Sequence, residues 1–192
     1  MSTSTCSEER SLPNILITGT PGTGKTTHAS TLADLLSQQG SYNYSSITVG
    51  DVVKSLPEGS GEMDEEFDTF VMNEEGEDRL LDSLEATLGD TSMGFILDHH
   101  TCDLFPKRWF DLVVVLRSST EEMFDRLNSR GYSEKKVGEN LECEIMGICL
   151  EEARESYDEG VVQELKSDCV EDMDNNCERI VQWIGNWIKD NR

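Results

Sequence analysis

A chain of 192 residues is long enough for one well-buried core and short for two. Its 39 acidic residues against 16 basic ones leave a formal charge of -23. That imbalance repels nucleic-acid backbones and anionic membranes, excludes extensive direct RNA or DNA binding, and favours basic protein partners, although a solvated acidic face is the commoner cause of such a surplus.

The first 11 residues, MSTSTCSEERS, are polar, contain acids and lack an apolar stretch, so they read as a disordered tail rather than a targeting segment, with one domain over 12–192. An apolar run predicts a strand at 14–18. A helix follows at 25–38, a weak strand at 42–48, a helix at 77–88, and strands at 94–98 and 112–116. Helices at 120–128 and 137–157, a short strand at 161–165 and a last helix at 170–189 complete the chain. Such alternation predicts an α/β three-layer fold, a five-stranded parallel sheet with helices on both faces. The longest purely aliphatic runs, such as 113–116, are too short to span a bilayer. Six cysteines, without a CxxC pair or a cluster with the three histidines, read as reduced intracellular thiols.

Two segments break the rhythm. Residues 55–76 are acidic, contain Gly and Pro, and are poorly periodic, as a mobile excursion from the core would be. Residues 129–139, SRGYSEKKVGE, form a short basic loop in an acidic chain. In the last helix, Asp168 and Glu171 resemble a capping box, and Met173, Cys177, Ile180, Ile184, Trp187 and Ile188 fall on one face. Trp183 is read as a packing residue.

The chemistry concentrates at Gly19-Thr20-Pro21-Gly22-Thr23-Gly24-Lys25-Thr26, which fits the phosphate-binding pattern G-x-x-x-x-G-K-[ST] between a strand and an amphipathic helix. In such a loop the glycines let backbone N–H groups wrap a phosphate, Lys25 reaches the β and γ phosphates, and Thr26 offers a hydroxyl to Mg²⁺. His28 is read as a neighbour of the site, not a participant. The strand at 94–98 ends in Asp98, the carboxylate for the metal or its water; the alternative is an acid that merely marks the strand end. Strict alternation puts His100 on the side of Asp98 and His99 opposite. His100 then either orients a water or senses the metal site, or makes a structural hydrogen bond. No Asn-Lys-x-Asp base-reading motif of a GTPase is present. One P-loop, a mobile excursion and a basic loop suit a small-molecule kinase whose closure excludes water. Arg126, Arg130, Lys135 and Lys136 are the cations available to cover the transferring group. Transfer to an already anionic phosphate oxygen needs no strong base, in keeping with the lack of an evident one.

The stretches LPNILITGTPGTGKTT, VGD at 49–51, DHHTCDLFPKRWFDLVVVLR from Asp98, SRGYSEKKV, ECEI, EEARESY and WIGNWIKD resemble the nucleoside monophosphate kinases, and within them the adenylate kinase isoenzyme 6 family. The resemblance runs from about residue 12 to 189. It implies that Gly22, Gly24, Lys25, Thr26 and Thr27 hold the ATP phosphates, with Thr26 and Asp98 on Mg²⁺. It further implies a monophosphate-binding region at about 48–72 with Asp51 and Lys54, a lid at about 129–139 with Arg130 contacting ATP, and an Asp98-x-His100 pair in ATP handling. The implied activity is ATP plus AMP, or a related monophosphate such as dAMP or CMP, giving diphosphates, with slow ATP hydrolysis. The resemblance also implies nuclear and cytoplasmic location and a role in small-subunit maturation through a basic ribosomal protein of the pre-40S particle. Three positions depart from the family. Lys54 stands where an arginine commonly grips the acceptor phosphate, extra Gly and acidic residues crowd 57–62, and His99 replaces a tyrosine. Three readings follow: a monophosphate kinase, a nucleotide-switched interaction protein, and, least favoured, a kinase for another small metabolite.

Overall fold

The computed structural model describes residues 10–38, 42–64 and 69–191. Five parallel strands form the central sheet: β1 (Ile15–Thr18), β2 (Tyr44–Thr48), β5 (Gly94–Asp98), β6 (Leu112–Arg117) and β7 (Val162–Lys166), in the order β2-β5-β1-β6-β7. β1 lies at the centre, with Ile17 opposite Asp98 of β5 on one side and Val114 of β6 on the other. A strand buried on both faces needs apolar side chains in both directions, and β1 has them. Ile15 and Ile17 pack with Leu32 and Leu36 of α1 (Lys25–Gln38) and with Ile180 and Ile184 of α7 (Val170–Asp190). Leu16 turns the other way, toward Leu80 and Leu84 of α3 (Glu74–Leu88) and Leu150 of α6 (Ile148–Ser156). Cutting one of these leucines to alanine costs about 2–5 kcal/mol. The chain leaves β1 toward β2 and later returns to β6 beyond it, so the sheet opens a crevice at the carboxyl ends of its central strands, where ligands of such folds sit.

The acidic excursion is more ordered than its composition predicts. A short helix α2 (Val49–Lys54) leads into it, and it holds an antiparallel hairpin of β3 (Gly61–Asp64) and β4 (Thr69–Met72), with Gly61 opposite Met72 and Asp64 opposite Thr69. Met63, Phe70 and Val71 remain exposed, so the hairpin has no buried face to write an alternating pattern into the sequence. α3 begins three residues earlier than its apolar periodicity shows, because the Asn73 side chain accepts from the Gly76 amide and three glutamates follow at the positive end.

Two more expectations change. The helix expected at 137–157 is two, α5 (Glu134–Met146) and α6, divided by Gly147 in the left-handed region at φ 69°. The expected capping box of α7 is rearranged: Asp168 turns its carboxylate to the Ser119 amide and the Ser118 hydroxyl, while Asp172, not Glu171, accepts from the Asp168 amide. The face of α7 is as expected, with Cys177, Ile180, Ile184 and Ile188 buried and Met173, Trp183 and Trp187 packed at its margin. At the start of the chain, residues 1–9 of the expected tail and Cys6 lie outside the described residues. Arg10 is held by Asp111 at 3.1 Å and by the carbonyls of Arg108 and Trp109, so the tail does not extend to residue 11. The five described cysteines are free, and no helix among the described residues is long and apolar enough to cross a membrane.

Candidate functional site

The P-loop leaves β1 at the floor of the crevice. Gly19, Gly22 and Gly24 all take positive φ, and at Gly19 a Cβ would lie 2.4 Å from the Leu116 carbonyl, so only glycine lets the turn clear β6. The loop is braced from within and behind: the Thr23 amide and hydroxyl both reach the Thr20 carbonyl, and Ser167 donates to the Thr23 carbonyl at 2.7 Å. Lys25, first residue of α1, folds back to donate to the carbonyls of Gly19 at 2.7 Å and Thr20 at 3.2 Å. Burial pushes its ammonium down to about 8, against the opposing pull of Cys149, Asp98 and Glu144. A cation kept dry is poorly solvated, and therefore strongly attracted to an arriving phosphate. Thr26 and Thr27 are exposed on the first turn of α1.

Asp98 ends β5 beside this loop. Its carboxylate accepts from Thr48 at the end of β2 at 3.0 Å, and burial raises its pKa above the ordinary carboxylate value, against the lowering pull of Thr48, Thr26 and Lys25. The Asp98 carboxylate and the Thr26 hydroxyl line one cleft and supply the hard oxygen donors that suit Mg²⁺, which takes one or two protein groups and fills its shell with water and phosphate oxygens. The residues therefore fit that ion. The described residues contain no cluster of three or more His, Cys, Asp or Glu for a metal held by protein alone.

The two histidines do not divide as alternation predicts. The strand stops at Asp98, and beyond it both rings line the cleft with centroids 4.3 Å apart. His99 is buried edge-on against Phe105, with Nδ1 at 3.1 Å from the Thr101 hydroxyl, and burial pushes it down to about 4, so it is neutral at physiological pH. His100 is exposed; partial desolvation and the Lys25 charge lower its pKa. His28 points away from the phosphates, with Nδ1 on the Gly24 carbonyl and Nε2 facing Asn176 of α7.

The basic segment separates. Arg130 caps α4 (Thr120–Ser129) and lines the cleft with Tyr132, Lys136, Glu139 and Asn140; the Lys136 ammonium lies 4.7 Å from the Tyr132 ring centroid. Arg126 does not cover the transferring group. Its guanidinium is spent on the carbonyls of Gly22, Ser167 and Asp168, tying the P-loop to the β7–α7 turn. On the opposite wall Lys54 lines the cleft and pairs with Asp51 at 2.8 Å, both side chains largely exposed, and that partner raises the Lys54 pKa.

Sequence reasoning missed Thr48 and Glu144. Glu144 is 3% exposed, and its carboxylate accepts from the Thr20 hydroxyl at 2.5 Å, from Arg117 Nε at 2.6 Å and from the Ser118 amide at 3.0 Å. Two sequence signals bear on Glu144: it lies in the ECEI stretch that carries the resemblance, and it is an acid at helical spacing from buried Val137, on the face a core residue would take. The whole cleft measures about 1460 Å³, more than the roughly 300–1,000 Å³ of a site for one drug-sized ligand. It has room for a phosphate donor and an acceptor together.

A family described as an AAA domain matches residues 15–147. The chain is 47% identical over 180 residues to the adenylate kinase isoenzyme 6 homolog of Caenorhabditis elegans, covering 93% of this chain and 92% of that protein. The homolog of Schizosaccharomyces pombe is 49% identical over 182 residues, 95% of this chain and 97% of its own. The Saccharomyces cerevisiae homolog FAP7 is 41% identical over 177 residues, with 92% and 84% covered. Among solved structures, a shikimate kinase from Bacteroides thetaiotaomicron superposes with TM-score 0.54 at 14% identity, covering 91% of this chain and 99% of that one. A structure from Chloroflexus aurantiacus reaches 0.61 at 17%, covering 95% and 99%. At these identities the structural matches speak for the fold alone.

Proposed function

Because the chain belongs to the adenylate kinase isoenzyme 6 family, we propose that it is an ATP-dependent nucleoside monophosphate kinase, converting ATP and AMP, or a close relative such as dAMP or CMP, to two diphosphates. The observation that carries this reading is one cleft with Lys25, Thr26 and Asp98 on its floor, Arg130 on one side and Lys54 on the other. The P-loop amides and Lys25 bind the β and γ phosphates of ATP. An acceptor phosphate oxygen held toward Lys54 attacks the γ phosphorus, the bond to the β–γ bridging oxygen breaks, and ADP leaves with that electron pair. The acceptor is already anionic, so no residue need take a proton. Mg²⁺, held by Thr26 and Asp98, would neutralise charge on the β and γ oxygens. Arg130, Tyr132 and Lys136 close from the lid, where an arginine is worth about a thousandfold or more in rate. With the acceptor absent, water in its place gives slow ATP hydrolysis, and exposed His100 is the group beside it.

A second reading has its own support. Lys54 is already engaged by Asp51 and cannot make an arginine's two-pronged grip. With a charge of -23 on the chain, the nucleotide would then switch an acidic surface that captures a basic small-subunit ribosomal protein on the pre-40S particle, in nucleus and cytoplasm. Chromatography of nucleotides after incubation with Mg²⁺-ATP, with and without AMP, separates the two. AMP consumed with two ADP formed supports the kinase; slow ADP and phosphate indifferent to AMP overturns it in favour of the switch. Capture by the acidic surface should also weaken as salt rises, more than turnover does.

A further inference from the structure

A carboxylate buried beside a guanidinium is a poor device for stability, since the desolvation of both charges offsets their attraction. Glu144 is such a group, and its position suggests another use. It lies in the last turn of α5, the helix that starts in the lid at Glu134 and lines the cleft with Lys136, Glu139 and Asn140. One oxygen takes the Thr20 hydroxyl and the other takes Arg117 Nε and the Ser118 amide, so α5, the P-loop and the end of β6 meet at one carboxylate. Arg117 also donates to the Glu144 carbonyl at 2.7 Å, fixing the helix end as well as the side chain. Directly beyond, Gly147 at φ 69° ends α5, and a Cβ there would stand 3.5 Å from the Arg117 guanidinium.

Thr20 is the receiving part. Its hydroxyl is held by Glu144 while its carbonyl accepts from Lys25 at 3.2 Å and from the Thr23 amide and hydroxyl. A shift of α5 along or about its axis therefore moves Thr20, and the P-loop turn that Lys25 leans on moves with it.

We propose that Glu144 is a positioning residue that couples the lid helix to the P-loop, so that the seat of α5 sets where the Lys25 ammonium stands toward the transferred phosphoryl group. This rests on the phosphoryl-transfer reading above. The backbone amides of the loop still bind phosphate without Glu144, so its loss falls on the transition state more than on ATP binding. Glu144→Gln keeps the shape and removes the charge that holds Arg117; Thr20→Val cuts the same link from the other side; Thr20→Ser keeps the hydroxyl.

Steady-state kinetics should show Glu144→Gln and Thr20→Val each lowering kcat by about tenfold to a hundredfold, as small misplacements of reacting groups do, with KM for ATP within about threefold. The double variant should be no slower than the slower single, and Thr20→Ser, which keeps the hydroxyl that Thr20→Val removes, should recover most of the kcat lost in Thr20→Val. Wild-type kcat in both folded variants, or losses that multiply in the double, would overturn the inference. Amide hydrogen exchange with and without ADP decides it independently of turnover. In the wild type, segments 19–25 and 130–146 should gain protection together, whereas in Glu144→Gln the P-loop alone should respond. Joint protection in the variant would also overturn the coupling. Absence of any transfer by the wild type would instead count against the kinase reading, and the exchange result would still stand.

Discussion

The two walls of the cleft are built by different rules. On the P-loop wall nearly every polar group has a partner supplied by another element: Thr20 by Glu144, Thr23 by Ser167, Asp98 by Thr48, Gly22 by Arg126. On the Lys54 wall the elements are a six-residue helix and two four-residue strands, the partner of Lys54 among the described residues is its own neighbour Asp51, and Met63 is 55% and Val71 51% exposed. The first wall is ordered by the core beneath it; the second has little of its own to hold it and depends on what it meets. Under the proposed kinase reading the donor site is preorganised, whereas the acceptor site would gain order on binding.

Breaking the preorganised wall should have the largest effect. Lys25→Ala is expected to lower phosphoryl transfer by about a hundredfold to a thousandfold or more, the scale of removing one charge-stabilising donor. Its melting temperature should not fall, because the variant loses a desolvated ammonium. Retained turnover would remove Lys25 from the chemistry. Asp98→Asn comes next, with a loss of about a hundredfold and a higher Mg²⁺ requirement in a metal titration; an unchanged Mg²⁺ dependence would leave Asp98 as a mere strand end. On the loose wall the expected changes are smaller. Lys54→Ala should raise KM for AMP about threefold to tenfold and leave KM for ATP alone, while Lys54→Arg should lower KM for AMP by gaining a bidentate contact. If neither variant alters AMP kinetics, the acceptor phosphate is held elsewhere.

The smallest effect, and the one that reads the P-loop wall without mutation, is on pH. With Lys25 near 8, kcat/KM for ATP should decline as pH rises past that value, since the free protein loses the charge that meets phosphate. Stability should move the opposite way. The unfolded chain binds a proton at Lys25 that the folded one does not, so this group's contribution to folding improves from about pH 8 toward the ordinary 10.5 of a lysine. A pH profile that persists unchanged in Lys25→Arg would assign the decline to another group.

Legibility in the sequence followed the same division. The strands of the sheet, the P-loop and α7 were readable because each is specified locally, by an apolar run, a glycine pattern or a periodic face. The hairpin at 61–72 was not, because neither of its sides is buried and so no alternation is imposed. Gly147 looked like one residue of a long helix; its left-handed turn lies just beyond Glu144, whose partners Arg117 and Thr20 are 27 and 124 positions away. Arg126, just before the basic stretch, is by sequence one of the cations available to cover the transferring group, yet its direction is set by carbonyls at 22, 167 and 168.

What the sequence alone determined is the sheet with its helices, the glycine-rich loop with Lys25 and Thr26 at its end and Asp98 at the end of β5, and the acidity of the chain, since periodicity, short-range spacing and charge need no knowledge of the fold. The tertiary structure alone decided which cations face the cleft, which histidine is buried, and that Glu144 of α5 accepts from the P-loop hydroxyl of Thr20. These depend on contacts between residues far apart in the chain, and such pairings leave no local mark on the side chains that make them.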